Sequence, residues 1–205
     1  MTLIKICGIT NKMDALNASR LGIDMMGFVF YPQSKRFISP LSVRDVVNEL
    51  PQDIVKVGVF VDEEPEKVRS IAEETGLDAL QFHGSESPEF CAAFKDSFKV
   101  MKAFRLKDRQ GLKTINDYDV DYYLLDTFKA DTVGGTGEVF DWKILKDFEF
   151  LKPVLLSGGL NPKNVAAAIR EIAPYGVDVS SGVESAPGEK DAQLMEKFVE
   201  EVRKK

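Results

Sequence analysis

Val154-Leu155-Leu156-Ser157-Gly158-Gly159 and Val177-Asp178-Val179-Ser180-Ser181-Gly182 decide how this chain is read. In each, a short apolar, β-branched run breaks abruptly into Ser and Gly, and a helix-like segment follows. Strand ends of this kind leave main-chain N–H groups bare. Such groups close on an anion, and a helix N-terminus behind them adds a favourable dipole. In an eight-stranded βα barrel, phosphate binds at the ends of strands seven and eight. The pair therefore points to a fold and to a phosphorylated ligand together.

Outward from these two stretches, strand-like apolar runs alternate with helical ones along the whole chain. Strands are predicted at 3–7, 25–30, 55–61, 79–82, 98–104, 122–126, 154–157 and 177–180. Several are continuously apolar, as parallel strands covered on both faces should be. Helices are predicted at 14–21, at 42–50 with Ser42 as its cap, and at 66–75 between Pro65 and Gly76. Further helices are predicted at 88–94, 142–146, 164–172 and 192–202. Residues 107–117 carry Gly111 and a poor pattern, so a short or irregular element is expected there. The longest loops are 127–139, containing Gly134-Gly135-Thr136-Gly137, and 31–40. No linker divides the chain, and a single catalytic domain over residues 1–205 is expected. The fold class is α/β, a (βα)8 TIM barrel of parallel strands. An open doubly wound sheet is the competing architecture, and periodicity alone does not separate the two.

Bulk properties narrow the function. At 205 residues, folding removes roughly 70% of the unfolded chain's surface from water, enough for a core without staples. The net charge of −6 is spread without long runs of one sign. That argues against nucleic acid or an anionic membrane as the main partner. Cys7 and Cys91 are far apart, with no CxxC or Cys/His cluster, so a disulfide framework and a structural zinc are not expected. The N-terminus shows no signal leader, and no apolar run approaches the ~20 residues of a membrane span. The expected setting is soluble, reducing and cytoplasmic.

In a barrel, chemistry belongs at the C-terminal ends of the strands. The candidates there are few. Cys7 precedes Gly8; a lone Cys at a strand end is usually a small buried apolar residue, but a thiol in reach of a ligand can act as nucleophile or general base. Cys91, between Phe90 and Phe94, reads as core packing. Asp126 closes an apolar run and is either solvated at the rim or held in a pocket, where burial would let it serve as an acid. Asp178 lies inside a strand and needs a partner or a ligand. Arg36 is either an exposed base or a planar fork for a carboxylate. His83, the single histidine, precedes Gly84. One His without an accompanying ligand cluster gives little support to a metal site.

Together these segments resemble one family, phosphoribosylanthranilate isomerase of tryptophan biosynthesis. The resemblance rests on Lys5-Ile6-Cys7-Gly8-Ile9-Thr10, Gly27-Phe28-Val29-Phe30-Tyr31-Pro32 with Ser34-Lys35-Arg36, and Val57-Gly58-Val59-Phe60-Val61. It continues through Gln81-Phe82-His83-Gly84, Leu125-Asp126-Thr127, Gly134-Gly135-Thr136-Gly137 and the two Ser/Gly turns, the second extending to Val183-Glu184. The blocks fall in the family's order over nearly the whole chain. Phe82 departs from the pattern, where an aliphatic residue is expected before His-Gly, with altered packing near His83 as the expected consequence.

The resemblance implies a (βα)8 barrel that converts N-(5′-phosphoribosyl)anthranilate to 1-(2-carboxyphenylamino)-1-deoxyribulose 5-phosphate by an Amadori rearrangement. It implies Cys7 as general base and Asp126 as general acid. It places Arg36 on the anthranilate carboxylate, with His83 and Asp178 as further substrate contacts. Phosphate falls to Gly158, Gly159, Ser180, Ser181 and Gly182. No metal, nucleotide or redox cofactor is expected. The partner is a small phosphorylated substrate, and the assembly is a monomer or a homodimer. Two other readings stand beside this one: another phosphosugar barrel, either an aminoaldose isomerase of histidine synthesis or a metal-dependent ribulose-phosphate epimerase, and a non-catalytic sensor of a phosphorylated metabolite.

Overall fold

In a computed structural model, residues 1–106, 108–127, 142–145 and 147–204 are described. Eight strands run in chain order: β1 (Leu3–Cys7), β2 (Met25–Val29), β3 (Val55–Phe60), β4 (Ala79–Phe82), β5 (Lys99–Leu106), β6 (Tyr122–Thr127), β7 (Val154–Ser157) and β8 (Gly176–Val179). Each is parallel to the next, and β8 pairs with β1 to close the barrel. Closure decides against the open doubly wound sheet. The closing seam sets Lys5 beside Asp178, and the β1–β2 seam sets Cys7 beside Gly27.

The helices are α1 (Lys12–Arg20), α2 (Pro40–Val47), α3 (Pro65–Thr75), α4 (Pro88–Ala92), α5 (Val165–Ile172) and α6 (Ala192–Arg203). Local chemistry sets their ends. Asn11, Ser39, Ser87 and Asp191 each accept a main-chain N–H of the first turn with their side chains. Gly76 ends α3 in the left-handed region, at φ 67°. The cap of α2 is Ser39 and not Ser42. Pro40 is preset for the first helical position, which moves the start ahead of the expected one. Among the described residues between β5 and β6 there are two 3-10 turns, Arg109–Leu112 and Ile115–Asp117, in keeping with the poor pattern there. Trp142–Leu145 is likewise a 3-10 turn and not an α-helix. The glycine-rich part of loop 127–139 lies outside the described residues.

The helices expected after the two Ser/Gly turns are present but set back from them. No α-helix follows either at once. After β7, α5 begins only at Val165; after β8 comes a 3-10 turn, Ser181–Val183. A small hairpin of β9 (Glu184–Ala186) and β10 (Glu189–Lys190) then precedes α6. The hairpin is tied to the barrel's first loop. Thr10 Oγ1 donates to the Gly188 carbonyl, and Asp14 Oδ2 accepts the Lys190 main-chain N–H at 2.9 Å. The stretch Glu184-Ser185-Ala186-Pro187-Gly188-Glu189-Lys190 lacks the apolar run by which strands are recognised.

Strand side chains alternate between two cores. Met25, Val57, Ala79, Met101, Leu124 and Leu155 fill the N-terminal half of the barrel interior. Ile4, Ile6, Phe28, Phe60, Phe82, Leu125 and Leu156 point outward and pack beneath the helices. Phe82 lies in that outer layer, with ring centroids 5.1–6.5 Å from Phe60, Phe90 and Phe94. It therefore sits on the opposite face of β4 from the residues next to it in sequence. Cys91 is buried in the same layer, where loss of water pushes its thiol up to about 12. Among the described residues no helix is long and apolar enough to cross a membrane.

Candidate active site

Alternation carries a second set of residues to the C-terminal end of the interior. Cys7, Arg36, His83, Asp126 and Asp178 line one cavity of ≈ 320 Å³, together with Gly158, Gly159, Ser180 and Ser181. These are nine of the ten residues singled out from sequence. Gly182, the tenth, does not line the cavity. A Cβ there would run into the Leu160 carbonyl, so glycine lets the two Ser/Gly turns pack against each other. Gly158 and Gly159 stand at φ 85° and 70°, where a side chain is strained. The turns thus bring bare main chain to one wall of the cavity.

Cys7 sits on the β1 side, among Val29, Val59 and Tyr31, and only 7% of it is exposed. Burial pushes its thiol up; the Lys5 ammonium pulls the other way, and the Asp178 charge adds to the rise. Lys5 is wholly buried, one inward position below Cys7. Its Nζ donates to Asp178 Oδ1 at 2.8 Å, and Ser157 Oγ donates to Asp178 Oδ2 at 3.1 Å. Burial alone would lower the Lys5 pKa, but Asp178 and then Cys7 hold its charge, and the net direction is up. Asp178 is paired, as one reading required, and it also faces the cavity.

Asp126 sits across the cavity on β6, with 29% of its side chain exposed. It lines the pocket, as one reading required, and keeps part of its side chain open to water. Its Oδ2 lies 3.2 Å from His83 Nε2, and His83 Nδ1 lies 2.9 Å from Gln81 Nε2. Arg105 lines the cavity beside it, in register with Asp126.

Arg36 comes from the loop after β2. It is a fork, as one reading required, but one carboxylate already holds part of it: Nε and Nη2 donate to Glu184 Oε1 and Oε2, each at 2.7 Å. Lys190 Nζ donates to the same Glu184 at 2.8 Å and to the Ser180 carbonyl at 3.2 Å. The Glu184 hydrogen bonds raise the Arg36 pKa. Burial would raise that of Glu184, but Arg36 and Lys190 hold it below the usual range. Burial lowers the Lys190 pKa.

Sequence reasoning missed Lys5, Gln81, Glu184 and Lys190. A signal existed for the first two. Lys5 and Gln81 are polar residues inside otherwise apolar strands, two positions before Cys7 and His83 and so on the same face. Glu184 and Lys190 lie in the hairpin that the apolar pattern did not reveal. Among the described residues no group of three or more His, Cys, Asp or Glu side chains could hold a metal ion.

The sequence model of the N-(5′-phosphoribosyl)anthranilate (PRA) isomerase family matches residues 4–201. The chain belongs to that family. PRA isomerase of Desulforudis audaxviator is 49% identical over 205 residues, covering 99% of this chain and 98% of its own. The crystal structure of PRA isomerase from Thermotoga maritima superposes with a TM-score of 0.92 at 41% identity, covering 99% of each chain. A second PRA isomerase structure holds reduced 1-(o-carboxyphenylamino)-1-deoxyribulose 5-phosphate. It superposes with a TM-score of 0.86 at 40% identity, again over 99% of both chains. The resemblance read from the ordered sequence blocks, and the barrel it implied, hold for this PRA isomerase family member over nearly its full length.

Proposed function

We propose that this chain converts N-(5′-phosphoribosyl)anthranilate to 1-(2-carboxyphenylamino)-1-deoxyribulose 5-phosphate, with Cys7 as general base and Asp126 as general acid. One observation carries the assignment of roles. A thiol and a carboxyl face a single cavity, one wall of which is two Ser/Gly turns, in a chain of the PRA isomerase family. The cavity of ≈ 320 Å³ is of the size that encloses a small ligand.

The turns around Gly158, Gly159, Ser180 and Ser181 bind the phosphate through main-chain groups, with Gly182 fixing their mutual approach. Arg36 binds the anthranilate carboxylate with the N–H groups that Glu184 does not occupy. Anchored at both ends, the ribose lies between Cys7 and Asp126, so orientation contributes to rate. Asp126 gives its proton to the ring oxygen as the C1′–O bond breaks. The product is a protonated imine, whose positive charge acidifies the C2′–H. Cys7, as thiolate, removes that proton, and the enolamine tautomerises to the ketone. His83 and Asp178 contact the substrate between these groups. Every residue in the scheme comes from one chain, so it applies to a monomer and to a homodimer alike.

Anthranilate fluorescence, followed after mixing the protein with fresh phosphoribosylanthranilate, tests the activity. Turnover should far exceed uncatalysed decay. Cys7→Ala and Asp126→Asn should each keep the far-UV circular dichroism of the parent and lose about 10²–10⁴-fold in kcat. A signal that falls no faster than uncatalysed decay would favour the sensor. A Cys7→Ala protein at parental rate would remove the base assignment alone.

A further inference from the structure

We propose that Gln81 is a positioning residue for the acid. Its amide holds the His83 ring in the tautomer protonated at Nε2, and that N–H supplies Asp126 with a hydrogen bond that strengthens as the carboxyl loses its proton. The inference deepens the acid assignment given above and rests on it.

Three observations carry it. Gln81, His83 and Asp126 form a chain of hydrogen-bond contacts at 2.9 Å and 3.2 Å along the cavity wall. Gln81 is fully buried on the inner face of β4, two residues before His83, so backbone geometry fixes its side chain under the ring. Its Oε1 is buried with no partner among the described residues.

The last observation sets the direction of the chain. An amide has a donating end and an accepting end. With Nε2 toward the ring, one acceptor atom is left without a partner. It is the Nε2 end that lies 2.9 Å from Nδ1 and the Oε1 end that lies in the buried place with no partner among the described residues. The amide therefore donates to Nδ1. A ring nitrogen that accepts carries no proton, so in the neutral ring the proton is on Nε2, directed at Asp126.

The consequence is differential. On the acid assignment Asp126 carries its proton before transfer, and the His83 N–H makes an ordinary hydrogen bond to it. As the proton leaves for the ring oxygen, Asp126 becomes a carboxylate and the bond becomes charge-assisted, about twice as strong. An interaction that grows along the reaction lowers the barrier, whereas one of constant strength does not. The opposite tautomer would present a bare Nε2 to Asp126 and draw the acidic proton away from the substrate. Gln81 touches only the ring in this scheme. It sets the direction of a donor and takes part in no proton transfer.

His83 is the only histidine in the chain, so ¹⁵N-histidine labelling reads this ring without assignment. In the parent protein at pH 8 the spectrum should show a protonated Nε2 and a bare Nδ1. In Gln81→Met, which keeps volume and removes the donor, signal from the Nδ1-protonated tautomer should appear. In the same variant kcat should fall about ten- to a hundredfold, the worth of one hydrogen bond to a developing charge, with KM within about twofold. A parent ring protonated at Nδ1 would overturn the proposal without any variant. So would a Gln81→Met protein with an unchanged ring spectrum, or one with a shifted spectrum and parental kcat. Failure of the acid assignment looks different: Asp126→Asn would then turn over at the parental rate while the parent ring still carried its proton on Nε2.

Discussion

Cys7 and Asp126 face each other across one cavity and are held in opposite ways. Cys7 is enclosed by Val29 and Val59, with a buried ammonium one layer beneath it. Asp126 is partly open and leans on the His83 ring. In the proposed scheme the base must ionise to act, yet it lies in the drier place, which opposes ionisation. Lys5 offsets that opposition only in part. The proposed acid must lose a proton during the reaction, and it lies where water and the His83 ring can meet the resulting charge. In the proposed scheme the two halves of the site solve different problems: the base side limits how much thiolate exists, and the acid side stabilises a carboxylate once formed.

That contrast can be broken at Lys5. The thiolate is the active form, and burial lifts the thiol above its ordinary value, so kcat/KM should climb with pH through neutrality and keep climbing beyond that ordinary value. Lys5→Met removes the cation that opposes the lift. It should move the rising limb to still higher pH and lower kcat/KM at pH 8 about tenfold, the worth of one partly screened charge at ~1.4 kcal/mol. Lys5→Arg should keep the limb in place. The rate of iodoacetamide alkylation against pH, in a Cys91→Ser background, reads the thiol without reference to turnover. Matching alkylation profiles for the parent and Lys5→Met would show that the ammonium serves Asp178 alone.

A smaller effect is expected at the clamp, which belongs to neither side. Glu184 fixes Arg36 through two hydrogen bonds and neutralises the buried Lys190. Glu184→Gln keeps the volume, but one amide oxygen cannot accept both bonds. The guanidinium should lose its fixed orientation, and KM should rise about fivefold with kcat within twofold, read by full progress curves. A fall in kcat with KM unchanged would place Glu184 in the reaction step and join the clamp to the catalytic pair. Thermal stability should fall in the same variant, because Lys190 is left as an uncompensated buried charge.

How far these features can be read from sequence follows from how local they are. The eight strands, the barrel they form, and Cys7, Arg36, His83 and Asp126 as residues of its C-terminal cavity were legible, because each stands at the end of an apolar run or, for Arg36, in the loop that follows one. The hairpin holding Glu184 and Lys190 was not legible. It is held by contacts to Thr10 and Asp14, nearly the whole chain away, and not by a hydrophobic pattern of its own. The partial openness of Asp126 was also hidden. An apolar run before an acid tells which face the acid points to and not how much water reaches it. Lys5 shows a third kind of limit. Its partner Asp178 was recognised as a charge in need of pairing, but the pairing depends on β8 closing against β1, which only the finished barrel provides.

Phe82 gives the finest test of the division between inner and outer faces, and the smallest expected effect on turnover. It lies between Gln81 and His83, both on the acid side, and was expected from sequence to disturb packing around the ring. The strand's alternation sends it instead into the cluster of Phe60, Phe90 and Phe94 under α4. Phe82→Leu should therefore cost packing and not catalysis. The loss should be about 1 kcal/mol or somewhat more, seen as a melting temperature lower by about 2–4 °C for each kcal/mol. kcat/KM should stay within about twofold of the parent. Both effects come from one protein sample, by thermal melting and by the fluorescence assay. If kcat/KM instead dropped tenfold while the melting temperature held, the outer aromatic layer would be setting the position of His83 through the backbone. The acid side would then owe its geometry to the helix layer as much as to Gln81.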